Sequence, residues 1–324
     1  MRTLPHSPTP QPQYTATAPG KIILFGEHAV VYGQPAIAVP VTHVWAEAIV
    51  EPGQGGNRSR ILAPAVGLDT ALDELPPTHP LSAALRGVLN TLGVTEPPPF
   101  SLTIRSTIPV AGGMGSGAAV SVAIIRAFSA FLNHPLPDDQ INALAYEVEK
   151  LHHGTPSGID NTVITYARPV YFVRGQPIET FTVPTPFTIV IADTGIASST
   201  ALTVGDVRKA WQADPKRFNR IFHWVGNLAM KAYRAIEART PDVLGPLMDE
   251  NHVQLQKMGV SSPELDRLVE AARGAGALGA KMSGGGGGGN MIALVKPEEA
   301  SQIAEALRAA GAVRTIVTEI GDLS

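Results

Sequence analysis

The sequence predicts an α+β protein of two domains, and three observations predict it. The chain has 324 residues, enough for about two domains of ordinary size. Strand-like runs dominate its opening, and helical patterns are mixed in from residue 81 onward. Composition then shifts near Pro184 and Pro186, which puts a boundary near residue 185. The expected division is a disordered proline-rich tail at 1–16, a first domain at 17–185 and a second at 186–324.

The elements follow in order. Residues 21–25, 36–41 and 44–50 are apolar runs bounded by Gly or Pro and read as strands. A glycine-rich break spans 53–57, and a proline-punctuated stretch at 75–80 leads to a helix at 81–92. Residues 97–99 are all proline and precede a strand at 101–108. A helix at 116–132 places Val120, Ile124, Phe128 and Phe131 on one face. A second, at 138–152, aligns Ile141, Leu144, Val148 and Leu151, with Gly154 beyond its end. Thr155 and Pro156 read as an N-cap and first helical position, so a third short helix starts there and carries Ser157 and Asp160. Residues 187–193 form a buried-strand pattern. Helices follow at 218–238, 241–258 (capped by Thr240) and 263–273 (capped by Ser262, ended by Gly274). Strands at 280–283 and 290–295 flank six consecutive glycines. A helix at 297–310 and a strand at 313–320 close the chain.

Composition narrows the function. Apolar residues are 44% and charged residues 16%, which is globular and not disordered. Lys plus Arg is 25 and Asp plus Glu is 28, a formal charge of −3 that argues against nucleic acid or an anionic membrane as partner. The absence of cysteine excludes disulfides, thiolate metal sites and a cysteine nucleophile. Residues 1–20 hold five prolines and no apolar run, so they are no secretory signal. No segment reads as a membrane span. A soluble, cytoplasmic protein is the expectation.

Three segments carry chemistry. Gly112, Gly113, Met114, Gly115, Ser116, Gly117 and Ala118 lie between a strand and an amphipathic helix. Glycines let the backbone turn N–H groups toward a ligand and the helix N-terminus adds partial positive charge, which together make an anion cradle. A tight packing turn is the bland alternative. The spacing Gly113-x-Gly115-x-x-Ala118, with Asp138 and Asp139 some twenty residues on, also fits a dinucleotide fingerprint. Its context is wrong: it lies past residue 100 behind Pro109, and Asp138 starts a helix. The glycine run from residue 284 packs no side chains, so it is either a linker or a place where another molecule meets bare backbone. Lys281 and Ser283 before it and the apolar residues 291–295 after it favour order. Lys281 alone reads as a solvated surface charge.

Glu149 ends the second helix and Asp160 begins the third, so a turn can bring both carboxylates to one cleft, one for a metal and one for a proton. Taken singly, Glu149 reads as a solvated helix residue and Asp160 as a helix N-terminal charge. His28, His152 and His153 suggest a metal only weakly, since His152 and His153 point about 100° apart on a helix. Lys21, at the edge of an apolar strand, either snorkels or faces a phosphate.

Together the segments resemble the GHMP kinases, small-molecule kinases. The stretch from Ala18 through Lys21, Glu27 and His28 to Gly33, the turn from His153 to Asn161, and the run from Lys281 to Gly289 are similar to motifs of that family. The likeness spans residues 17–320. It implies a two-domain fold: an N-terminal α/β domain with an atypical left-handed βαβ crossover, and a ferredoxin-like C-terminal domain. It further implies ATP-dependent phosphorylation of mevalonate at its primary (C5) hydroxyl, with Mg²⁺ as cofactor, in a homodimer. Another small-molecule kinase of the family, acting on phosphomevalonate or at the 3-hydroxyl of mevalonate, is the alternative; a non-catalytic nucleotide-binding regulator is a remote one.

By this resemblance Asp160 is the base for the substrate hydroxyl and Lys21 holds charge on that oxygen and the γ-phosphoryl group. Glu27, His28, Asp160 and Thr194 bind the acceptor. Pro109, Gly112, Gly113, Met114, Gly115, Ser116, Gly117 and Ala118 wrap the ATP phosphates. Ser283, Gly284, Gly285, Gly286 and Gly287 close the site, and Glu149 with Ser116 holds the metal. Two positions depart from the family pattern. Gly117 stands where a second serine, often a magnesium ligand, is usual. Ser283 to Gly286 replaces Thr-Gly-Ala-Gly, keeping a hydroxyl and turning an alanine into glycine.

Overall fold

The computed structural model describes residues 12–53, 58–109, 112–153, 156–177, 179–197 and 200–321. Residues 1–11, most of the break at 53–57, and Gly154 and Thr155 lie outside them, as do the side chains of His152 and His153.

Strands β1 (Tyr14–Phe25) and β2 (Ala36–Pro52) pair antiparallel over almost their full length, from Tyr14 opposite Val50 to Phe25 opposite Ile37. Two expectations change here. The chain is already a strand at Tyr14, inside the stretch read as tail, because the Tyr14 ring packs edge-on against Phe131 with centroids 5.6 Å apart. The runs at 36–41 and 44–50 are one strand. Thr42 and His43 are exposed where the register jumps between Pro19/Trp45 and Gly20/Val41, so the apparent break is a bulge.

A hairpin of β3 (Arg60–Ala63) and β4 (Leu68–Ala71) leads through α1 (Pro80–Leu92) to β5 (Phe100–Ser106). β5 runs parallel to β3 and antiparallel to β2. Helices α2 (Ser116–Phe131), α3 (Asp138–His153) and α4 (Ile159–Tyr166) follow, then short strands β6 (Val170–Phe172) and β7 (Glu179–Thr180). The sheet order is β4-β3-β5-β2-β6-β7, with β1 also on β2. α2 leads to α3 and not back into a parallel strand, which removes the dinucleotide-fold reading. α4 begins three residues later than expected, with Gly158 at φ 92° as its N-cap; Ser157 Oγ accepts from Ile159 N at 3.3 Å, so the turn is completed by a side chain before the helix starts.

The second sheet contains β8 (Phe187–Asp193), which is followed by four helices: α5 (Thr200–Ala213), α6 (Pro215–Glu237), α7 (Leu244–Met258) and α8 (Pro263–Gly274). Then come β9 (Gly279–Ser283), β10 (Asn290–Val295), α9 (Ala300–Ala309) and β11 (Arg314–Ile320). All pairs are antiparallel in the order β11-β8-β10-β9. Counted within the unit that is 4-1-3-2, the split βαβ arrangement of a ferredoxin-like fold. α5 gave no sequence signal because only Val207 of its residues is fully buried. Thr240 does not cap α7; its hydroxyl donates to Ala235 O at 3.2 Å and finishes α6. Ser262 does cap α8, accepting from Leu265 N at 3.3 Å.

The chain leaves the first sheet after Thr180 and enters the second at Phe187. The hydrophobic core does not break there. Leu228, Ala229 and Ala232 of α6, and Ile189 and Ile292 of the second sheet, pack in the same cluster as Ile22 and Leu24 of β1. No helix among the described residues is long and apolar enough to cross a membrane.

Candidate active site

Lys21 is fixed from both sides. Its N–H donates to Met114 O at 3.0 Å, tying β1 to the glycine loop. Gly115 sits at φ 72°, and a β-carbon there would fall 2.7 Å from Ile164 Cδ1 and 3.0 Å from Lys21 Cγ. Only glycine lets the loop lie against the lysine stem. α2 then starts at Ser116. Ala119 N bonds back to Gly115 O at 2.9 Å, so the N–H groups of Ser116, Gly117 and Ala118 precede the helical ladder and concentrate positive potential at that end.

α4 aims its own N-terminus at the same place, carrying Asp160 in its first turn. Asp160 Oδ2 lies 3.0 Å from Lys21 Nζ; the lysine side chain is 4% exposed and the aspartate 29%. Arg126 of α2 braces the arrangement, donating to Thr165 O at 2.5 Å and to Asp138 at 2.8 Å.

Glu149, in the last turns of α3, is buried beside this pair. Burial first, and the Asp160 charge second, push its carboxyl up to about 7, against the opposing pull of Lys21. A β-carbon at Gly117 would lie 3.5 Å from Glu149 Oε1, so the two positions face each other. Glu149 is therefore a buried oxygen ligand whose ionised form an added cation would favour. With the hydroxyl of Ser116 it suits a hard divalent cation that shares its remaining ligands with phosphates and water. The residues present fit Mg²⁺.

The third segment closes the cleft from the second sheet. Its glycines are ordered by contacts within the chain: Gly287 N donates to Val260 O at 2.8 Å and Gly289 N to Ile196 O at 3.0 Å. A β-carbon on Gly286 would lie 2.0 Å from Val260 O, so bare backbone meets bare backbone. Ser283 Oγ donates to Ile23 O at 2.8 Å and Asn290 Nδ2 donates to Gly112 O, stitching this loop to β1 and to the first glycine loop. His28 Nε2 lies 2.9 Å from Gly285 O. Burial pushes the His28 imidazole down to about 4 although that carbonyl opposes the shift. The ring is neutral at pH 7 and Nε2 carries the proton, since a carbonyl only accepts.

Two expectations fail in this region. Lys281 is not a solvated charge: it is fully buried and paired with Glu27, because β9 runs beneath α7 and leaves it no route to water. Thr194 is not among the residues that line the cavity; its hydroxyl donates to Gly289 O at 3.0 Å and accepts from Ile196 N at 3.3 Å.

A cavity of about 610 Å³ opens between these parts. Lys21, Glu27, His28, Glu149 and Asp160 line it, as do Gly113, Gly115, Ser116, Gly117 and Ala118, and Gly284 and Gly285 of the third segment. Pro109, Gly112 and Met114 of the first loop, and Ser283, Gly286 and Gly287 of the third segment, are not among the lining residues. Sequence reasoning missed Thr200 and Arg208, which α5 brings to the wall with Val204. An apolar patch of Ile23, Val30 and Val31 stands in the same cavity. Nothing local marks α5 as part of a site.

Residues 80–168 match the family GHMP kinases N terminal domain, and residues 232–313 match GHMP kinases C terminal. The chain is 37% identical to a protein named mevalonate kinase from Thermococcus gammatolerans, over 94% of this chain and 95% of that protein. The crystal structure of L. major mevalonate kinase in complex with R-mevalonate superposes with a TM-score of 0.82 at 29% identity, covering 99% of each chain. The Methanococcus jannaschii mevalonate kinase structure superposes at 0.83 with 26% identity, covering 97% of this chain and 99% of that one.

Proposed function

The chain belongs to the GHMP kinase family, and from that premise we propose that it transfers the γ-phosphoryl group of ATP to the primary C5 hydroxyl of mevalonate. The products are 5-phosphomevalonate and ADP, and the step belongs early in isoprenoid synthesis. The protein is an enzyme, a phosphotransferase with an alcohol as acceptor.

One observation carries the reading at the level of residues: an ammonium and a carboxylate 3.0 Å apart where two helix N-termini meet in one cavity. Phosphoryl transfer asks a protein for positioning and charge neutralisation more than for covalent chemistry. The N–H groups at the start of α2 hold the phosphates. Asp160 takes the proton of the C5 hydroxyl as its oxygen bonds to the γ-phosphorus and the bond to the β-phosphate oxygen breaks. Lys21, anchored beside Asp160, balances the charge on the attacking oxygen and the moving phosphoryl group. Glu149 and Ser116 would hold Mg²⁺, with water in the room left by Gly117. Bound there, the ion would supply positive charge to the phosphates. At the acceptor end, Val30, Val31 and Val204 offer an apolar wall for a methyl branch, and Arg208 offers a cation for a carboxylate.

The expected homodimer and cytoplasmic location carry over as proposals, checked by light scattering and cell fractionation. The direct experiment is a coupled ADP-release assay with mevalonate, phosphomevalonate, galactose and homoserine. Mevalonate alone should support turnover; turnover with another acceptor in its place would reassign the substrate.

A further inference from the structure

Lys281 has no task in the mechanism above, yet it is among the largest side chains that the fold removes completely from water. It sits in the middle of β9, and its Nζ contacts Glu27 Oε1; both side chains are 0% exposed. Asn251 of α7 donates Nδ2 to the other oxygen, Glu27 Oε2, at 3.1 Å. Glu27 is therefore gripped at both oxygens, and it still forms part of the cavity wall. A buried ion pair adds little stability over an apolar pair of the same volume.

We propose that Lys281 and Asn251 are positioning residues for the acceptor: they hold the Glu27 carboxylate, and through it the turn that carries His28, in place at the wall of the acceptor's cavity. The role assigned to the acceptor rests on the kinase reading; the grip on Glu27 does not. α7 is the back plate. Asp249 Oδ1 accepts from Ala280 N at 2.9 Å and His252 Nδ1 accepts from Met282 N at 3.3 Å, so the strand is pinned on either side of Lys281. Because the lysine neutralises the carboxylate, the pair does not repel an anionic acceptor.

The charged and titratable groups around the pair come from several elements. His252 of α7, pushed down to about 4 chiefly by burial, is neutral near pH 7. Asp266 and Arg273 of α8 lie behind it. His28 adjoins Glu27 in the chain, while Lys21 and Asp160 of the reacting pair and Arg208 of α5 line the same cavity.

The test is a kinetic cycle on Glu27→Gln, Lys281→Met and the double variant, with Lys281→Arg and Asn251→Ala beside them. Lys281→Met should raise the acceptor KM about tenfold or more while the ATP KM stays within about twofold. The double variant should be no worse than Glu27→Gln, because a carboxamide carries no charge to neutralise. Asn251→Ala should raise the acceptor KM about threefold, and Lys281→Arg should recover part of the loss. Should Lys281→Met fail to fold, the neutral double variant and Asn251→Ala carry the test. Acceptor and ATP KM rising together, or single effects that multiply in the double variant, would overturn the proposal.

Thermal midpoints supply a readout independent of turnover. Without Lys281 the Glu27 charge is buried uncompensated, a penalty present near neutral pH and relieved by protonation as pH falls. The deficit of Lys281→Met against wild type should shrink between about pH 8 and pH 5.5, and the double variant should show no such trend. A trend in the midpoints with an inert wild type sinks the kinase reading and keeps the grip; active wild type with no trend and no change in KM sinks the grip alone.

Discussion

Two lysine–carboxylate pairs meet one cavity, lined by Lys21, Asp160 and Glu27, and differ most in the access of the carboxylate. Both lysines are buried on strands, Lys21 in β1 and Lys281 in β9. Asp160, partner of the first, is 29% exposed and stands at the open end of a helix. Glu27, partner of the second, is sealed beneath Asn251 and Lys281. The pair with an open face can exchange a proton and meet a phosphate. The sealed pair can only hold a shape. Access of the carboxylate, and not burial of the lysine, separates a reacting pair from a positioning one.

The sharpest way to break this contrast is to disable the open pair. Asp160→Asn should lower kcat by about 10²–10⁴, the range for loss of a positioned base, and Lys21→Met should lower kcat with ATP binding largely kept. Stopped-flow measurement of the transfer step checks both; turnover near wild type in either variant removes that residue from the chemistry.

Next comes Glu149→Gln. Burial and the Asp160 charge push the folded carboxyl up to about 7 from its usual 4.5. Its ionised form therefore costs stability above pH 7, and that cost disappears as pH falls to the unfolded value. The nucleotide-free variant should be more stable than wild type at pH 8, by at most about 2–3 kcal/mol, and equal to it near pH 4.5. Its requirement for Mg²⁺ in the assay should rise. Denaturant melts at the two pH values give the comparison, and a gap that widens toward acid would reverse the assignment.

Gly115→Ala probes what keeps Lys21 in place. The new methyl group meets Ile164 and the lysine stem, and the backbone is in the left-handed region. A loss of about 1–3 kcal/mol is expected, with kcat falling more than the loss of folded protein explains. Thr194→Val is the smallest. It removes the hydroxyl bonded to Gly289 O and should cost about 1 kcal/mol, with the acceptor KM unmoved. A change in KM would return Thr194 to the acceptor site.

How much of this was legible depended on the range of each interaction. The anion loop was legible because glycines between a strand and an amphipathic helix state their purpose locally. The burial of Lys281 was not, since its partner lies 254 residues away in the chain. Glu149 alone looked like a solvated helix residue, and only its approach to Asp160 and Gly117 gives it a role. β2 was read as two strands because Thr42 and His43 are polar, and a bulge hides polar residues from any periodic pattern. α5 was invisible for a related reason: a helix that packs through one buried valine leaves no stripe, although it brings Thr200 and Arg208 to the cavity.

The core that runs without interruption from β1 into α6 bears on how the chain is made. Residues up to 185 leave the ribosome while Leu228, Ala229 and Ala232 are still untranslated, so the part of the β1 surface that α6 covers waits exposed, although α2 and α4 already pack on the strand. At typical synthesis rates the missing wall arrives on the order of ten seconds later. During that interval the nascent first half is an exposed hydrophobic surface in search of a cover, and chaperone capture or overproduction stress would act there before any enzyme exists.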